Sequence, residues 1–259
     1  SMTLTRELKR RGVNVIARTA VDRVDTGANL GATVHYRQGD SDEDRTAYGE
    51  VVLAAIGRVP NTDADWFRSS GLKLDERGYV TVDGYGRTNL DGVWALGDIT
   101  PGHALAHRAF EQGITIAEKI AGADPKPVID DTVPQVVFSF PEAASVGLTL
   151  DQAKAREDVV EPKETAYPML SNARMLMSGE GGSMTVVSGA FANNPDMQVV
   201  LGVHIVSPIA SDLIAEAEQL VGNRVPLADA ARLIHPHPTF SETLGEALLK
   251  ADGRPLHTR

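Results

Sequence analysis

His235-Pro236-His237-Pro238-Thr239-Phe240-Ser241-Glu242 opens the last helical pattern of the chain, which the apolar spacing places over residues 239–250. A proline on each side of His237 restricts its backbone, which helps to hold an imidazole in one place when it must take a proton. Glu242 follows five residues later, close enough across a turn to orient one ring nitrogen and to favour the protonated ring. A second reading needs no chemistry. Thr239 and Glu242 spell a T-x-x-E capping box, which satisfies the first amides of a helix by itself. His235 reads as a turn or packing residue.

Working back from this stretch, residues 128–259 run as several strands followed by helices, the grammar of an α+β domain. Strands are predicted over 135–138, 143–146, 164–167, 183–191 and 199–206, and helices over 149–156, 210–222, 226–233 and 239–250. Gly179-Glu180-Gly181-Gly182 precedes a strand and reads as a hairpin turn. Ala121-Gly122-Ala123-Asp124-Pro125-Lys126-Pro127 resists regular structure, so a domain boundary is placed there.

The part before that linker reads as α/β. A helix is expected over 4–11, ending at Gly12, then strands over 13–17, 21–24 and, after a Gly turn, 32–36, with a polar hairpin tip over 38–45. Val51-Val52-Leu53-Ala54-Ala55-Ile56 is an unbroken apolar run stopped by Gly57. Such a run predicts a strand buried on both faces, as in a parallel sheet, and Pro60 forbids its continuation. Residues 62–90 look irregular apart from a short strand around 79–82. Val93-Trp94-Ala95-Leu96 is a second short apolar strand, ending at Gly97-Asp98 ahead of a helix over 104–121.

The 259 residues suffice for two domains or for pieces of three, and 42% hydrophobic with 23% charged residues supports packed cores. A formal net charge of −10 argues against nucleic acid as a partner. No apolar run approaches the roughly 20 residues of a membrane span, and the amino end has no apolar leader core, so a cytoplasmic protein is expected. Ser1-Met2 reads as an addition ahead of the natural start. The absence of cysteine excludes disulfides, thiolate metal sites and a cysteine nucleophile within these residues, and no metal site is expected.

Two further stretches carry chemistry. In Thr88-Asn89-Leu90-Asp91-Gly92-Val93-Trp94-Ala95-Leu96-Gly97-Asp98, Asp98 at a strand end could accept hydrogen bonds from sugar-alcohol hydroxyls, and Gly97 would allow close approach of backbone to ligand. The bland alternative is an aspartate serving as a cap or turn. Leu105-Ala106-His107-Arg108-Ala109-Phe110-Glu111-Gln112-Gly113 starts a helix, where His107 reads as a capping or packing residue. These stretches, taken in order with His237-Pro238-Thr239-x-x-Glu242, resemble the pyridine nucleotide-disulfide oxidoreductases. His235-Pro236 is similar to the dihydrolipoamide dehydrogenase branch in particular.

That resemblance implies a division into the C-terminal part of an NAD-binding domain (1–60), the second segment of a Rossmann-like FAD-binding domain (61–127) and a dimerisation domain with an antiparallel sheet (128–259). It implies that Asp98 meets the ribityl chain of FAD and that the Ala106 backbone meets the flavin. Gly57, in Ala54-Ala55-Ile56-Gly57-Arg58-Val59-Pro60-Asn61, would lie near the nicotinamide of NAD and Val21 near its adenine, although residue type alone makes Val21 a core residue. His237 would exchange a proton with a dithiol and Glu242 would orient it, both acting across a homodimer interface on the partner's redox disulfide. The implied substrate is dihydrolipoamide or a lipoyl-bearing protein, and the resemblance also offers a 2-oxo acid dehydrogenase complex as a partner.

Neither the redox cysteines nor a Gly-x-Gly-x-x-Gly for either dinucleotide occurs in these residues. The chain therefore reads as a piece of a longer enzyme, inactive alone. The alternatives are a related reductase acting on glutathione, a metal ion or a quinone, or a noncatalytic dimerisation or docking module.

Overall fold

The computed structural model describes residues 2–27 and 31–258, and the chain divides chiefly into two compact units, Leu4–Val59 and Pro60–Arg259. Ser1 and the middle of the expected Gly turn, residues 28–30, lie outside the described residues. The first unit carries helix α1 (Met2–Arg10) and three antiparallel strands, β1 (Thr19–Thr26), β2 (Ala32–Gln38) and β3 (Arg45–Gly49), in the order β1-β2-β3. The polar tip expected over 38–45 joins β2 to β3. Ala32 and Tyr36, four residues apart and so on one face of β2, are its buried side chains.

Four expectations for strands are corrected. Residues 51–56 form no strand, and Val51, Leu53 and Ile56 are exposed, Ile56 at 96%. A parallel strand exists through its hydrogen-bonding neighbours, and none lies beside this run among the described residues. Val93–Leu96 and residues 79–82 also fall short of strands, since each makes a single antiparallel bridge, Trp94 with Arg87 and Val80 with Leu74. Residues 13–17 are also irregular, and the strand begins at Thr19.

In the second unit, α2 (Asp65–Ser69) brings Phe67 against Val80 and Ala95, a small core beneath otherwise irregular backbone. A short 3-10 turn, Gly97–Ile99, leads to α3 (Ala106–Ile120). Beyond the linker, five antiparallel strands form one sheet in the order β4-β5-β8-β7-β6. They are β4 (Gln135–Val137), β5 (Glu142–Gly147), β6 (Val159–Pro168), β7 (Ser183–Phe191) and β8 (Asn194–Ser207). Helix α4 (Leu150–Ala155) follows β5 with a complete capping box, in which Thr149 and Gln152 satisfy each other's backbone amides.

Gly179-Glu180-Gly181-Gly182 is not a hairpin turn. Gly179, at φ 69°, terminates helix α5 (Ala173–Ser178) in the left-handed conformation that glycine adopts without strain. The remaining glycines carry the chain into β7.

The sheet is buried on both faces. Val186 and Val187 are neighbours on β7 and therefore point oppositely, and both are fully buried. Val186 joins Tyr167, Met184, Val203 and Ile205 under helices α6 (Ala210–Gly222) and α8 (Glu242–Ala251), whereas Val187 joins Val199 and Leu201 against α4. Helix α6 supplies Ala210, Leu213, Ile214 and Ala217, and α8 supplies Leu244, Ala247, Leu248 and Ala251, both at the i, i+3, i+4, i+7 spacing of one helical face. Burying each leucine stabilises by about 1.5–3 kcal/mol. Glu142 on β5 accepts the Ser211 amide at 2.8 Å, placing a negative charge at the amino end of α6. Helix α7 is only Leu227–Ala230, shorter than the predicted 226–233, and α8 begins at Glu242 rather than at 239.

Candidate active site

The irregular segment before α8 carries His237, and α8 itself carries Glu242. His237 Nδ1 lies 2.8 Å from Glu242 Oε1. A carboxylate only accepts, so Nδ1 donates and Nε2 is left as the ring's free nitrogen. Glu242 Oε2 accepts the Thr239 amide at 2.7 Å. One carboxylate thus performs half of the predicted capping box and orients the imidazole. The Thr239 hydroxyl, the other half of that box, instead donates to the Pro236 carbonyl at 2.6 Å, and α8 starts with no side-chain cap. The His237–Pro238 peptide is cis.

Burial of Glu242 works to raise its pKa. The Thr239 amide, the His237 hydrogen bond and the charges on His237 and His235 outweigh that, so it lies below the usual carboxylate range. The carboxylate is therefore anionic at neutral pH, whereas the His237 ring is 70% exposed and open to a reactant.

Asn172 completes this corner and was not anticipated. Its buried carboxamide accepts the Met175 amide as the cap of α5 and donates to the Thr239 carbonyl at 3.1 Å. The Asn-x-x-Met spacing signals only the cap, since the second bond spans 67 residues. His235 also takes a larger role than a turn residue, through Glu216 of α6 at 2.9 Å.

Asp98 lies exposed on the 3-10 turn, whose Gly97 amide donates to the Gln112 side chain of α3 at 2.9 Å. Gln112 thereby joins the Asp98 turn to the helix that begins at Ala106. Arg108 braces the same region, donating to Asp130 at 2.6 Å and to the Pro101 carbonyl at 2.7 Å. His107 is occupied in a 2.7 Å hydrogen bond with the Pro134 carbonyl. Helix α3 starts without a side-chain cap at Leu105, and Ala106 is exposed. Its first amides have no side-chain cap and Asp98 is an exposed carboxylate nearby in sequence, residue types that fit a ligand bearing both hydroxyls and an electron-rich ring, as FAD does.

In the other unit, Val21 of β1 pairs with Tyr36 of β2 but is 58% exposed, which corrects its reading as a core residue. Gly57 is exposed at φ 139°, a conformation that favours glycine. Both are accessible to a ligand. Among the described residues no group of three or more His, Asp or Glu side chains could hold a metal ion. No helix among them is long and apolar enough to cross a membrane.

Comparison with known proteins identifies the family to which the chain is similar. The pyridine nucleotide-disulphide oxidoreductase family matches residues 1–113, and its dimerisation domain matches residues 133–248. Dihydrolipoyl dehydrogenase from Cupriavidus necator is 39% identical over 254 residues, covering 97% of this chain and 51% of that protein. The dihydrolipoyl dehydrogenase of Geobacillus stearothermophilus is 37% identical over 260 residues, covering 98% of this chain and 52% of that protein. The crystal structure of LpdA from Mycobacterium tuberculosis superposes with a TM-score of 0.83 at 29% identity, covering 96% of this chain and 52% of that one. The chain spans about half the length of the curated relatives it matches. Family members are enzymes that use FAD and NAD. With both family domains in order across most of its length, the chain belongs to the pyridine nucleotide-disulphide oxidoreductases.

Proposed function

We propose that this chain is part of an enzyme that oxidises dihydrolipoamide, with His237 as the proton acceptor and Glu242 as the residue that orients it. The observation that carries the reading is the 2.8 Å contact from an exposed imidazole to a carboxylate whose other oxygen is held by a backbone amide. With Nδ1 committed to Glu242, Nε2 takes the proton of a substrate thiol. The resulting thiolate is the nucleophile in thiol–disulfide exchange. Glu242, anionic, stabilises the imidazolium that forms.

The disulfide under attack lies outside these 259 residues, which contain no cysteine. The high exposure of His237 suits a disulfide carried by the partner subunit of a homodimer. FAD and NAD supply the redox chemistry: the dithiol loses two electrons and two protons, NAD takes both electrons with one proton, and the other proton goes to solvent. Asp98 and the α3 amides starting at Ala106 would hold FAD; Gly57 and Val21 would line the NAD site. The division into NAD-binding (1–60), FAD-binding (61–127) and dimerisation (128–259) segments belongs to the same proposal, as do a lipoyl-bearing partner protein and a cytoplasmic location. So does inactivity of the isolated chain.

The test is turnover by the full-length protein with FAD bound, comparing dihydrolipoamide plus NAD with oxidised glutathione plus either reduced nicotinamide nucleotide. Dihydrolipoamide should be favoured in kcat/KM by at least about 100-fold, about 2.7 kcal/mol of discrimination. A preference for glutathione would reject the substrate assignment.

A further inference from the structure

His235 and His237 stand two residues apart, yet their rings meet different surroundings. His237 is exposed, while the His235 side chain is only 9% exposed. His235 Nε2 lies 2.9 Å from Glu216 Oε1 on α6, so this nitrogen donates to the carboxylate. The opposite edge of the ring lies on the bare backbone of α8. A Cβ at Gly245 would stand 2.5 Å from His235 Nδ1 and 2.9 Å from its Cε1, closer than side chains approach one another. The ring is wedged between α6 and α8.

Residues 231–241 contain no helix or strand, so side-chain contacts must define their path. Pro236 alone separates the wedged ring from His237, and proline removes one backbone rotation from that link. Asn172 and Glu242 hold the segment on the far side of His237, at Thr239. His235 is the corresponding anchor on the near side.

We propose that His235 is a positioning residue: clamped between Glu216 and the Gly245 backbone, it fixes where His237 presents its imidazole to substrate. The inference rests on His237 being the proton acceptor proposed above. The Glu216 hydrogen bond raises the His235 pKa against the opposing effect of burial. The Glu216 charge, the Leu233 carbonyl and the Glu242 charge add to it. Protonation therefore tightens the clamp.

The test uses the full-length holoenzyme carrying His235→Gln, Glu216→Gln, His237→Gln or His235→Gln with His237→Gln. Glu216→Gln removes the charge with little change of shape, so it guards against a folding defect in His235→Gln. Each of the first two variants should lower kcat about 10- to 100-fold, the scale of an approximately 1 Å misplacement, with KM for the dithiol changed less than about twofold. In the His237→Gln background, His235→Gln should cost less than about a further twofold, because it acts through the ring already removed. Wild-type kcat in both His235→Gln and Glu216→Gln, with His237→Gln crippled, would overturn the positioning role and leave the proposed function intact. Fully additive losses in the double variant would overturn it too. Near-native turnover of His237→Gln would overturn the functional reading itself, and the positioning role with it.

Discussion

Glu242 holds His237 Nδ1 at 2.8 Å with one carboxylate oxygen and the Thr239 amide at 2.7 Å with the other. Orientation of the imidazole and the start of the last helix are therefore one structural event. The same carboxylate would be required for folding the corner and for supporting a proton transfer.

Glu242 should leave a signature in the pH dependence of stability. Its folded pKa is below the ordinary carboxylate value, so its contribution is fully present above that value and is lost as pH falls through the lowered folded pKa. Urea denaturation of the 259-residue chain should show Glu242→Gln less stable than wild type at pH 7. The gap should close as pH falls into the acid range. A gap that widens on acidification would contradict the assigned electrostatics.

Gly245→Ala pits two effects of opposite sign. Alanine inside a helix is favoured over glycine by about 1 kcal/mol. The new methyl would stand 2.5 Å from His235 Nδ1, and overpacking of a tight site costs about 1–3 kcal/mol. Because the His235 ring is itself tied to Glu216, the clash should win. The expected outcome is a net loss of up to about 2 kcal/mol in chemical denaturation; a rise in stability would show that the ring moves freely.

Leu248 lies on the buried face of α8 with no exposed surface, packed in the core shared by the sheet and α6. Leu248→Ala should cost about 2–5 kcal/mol, the range for leucine truncation in a packed core. Loss of less than about 1 kcal/mol, measured by the same unfolding titration, would mean that α8 is not anchored there.

The sequence made the second unit more legible than the first. The α6 and α8 faces, the long β7 and β8 strands and the corner at His237 and Glu242 are set by local spacing and by neighbours within the unit. The apolar run 51–56 and the Val93–Leu96 segment have the composition of buried strands, but a strand needs a row of hydrogen-bonding neighbours: among the described residues none lies beside the first, and the second makes a single bridge, Trp94 to Arg87. Val21 shows the same limit, since residue type pointed inward and its side chain is exposed. Of the candidate site, the local pair was readable. The contacts of His235 with Glu216 and of Asn172 with Thr239 cross 19 and 67 residues, and no short motif encodes such distances.

His237→Gln in the full-length enzyme tests the central claim most directly, through kcat for dihydrolipoamide oxidation between pH 6 and 9. A general base of this kind contributes about 10²- to 10⁴-fold, so kcat should fall by that factor while circular dichroism and bound flavin remain those of wild type. Turnover within about threefold of wild type across the range would contradict it, since removing a group that supplies at least about 10²-fold cannot leave the rate so nearly unchanged.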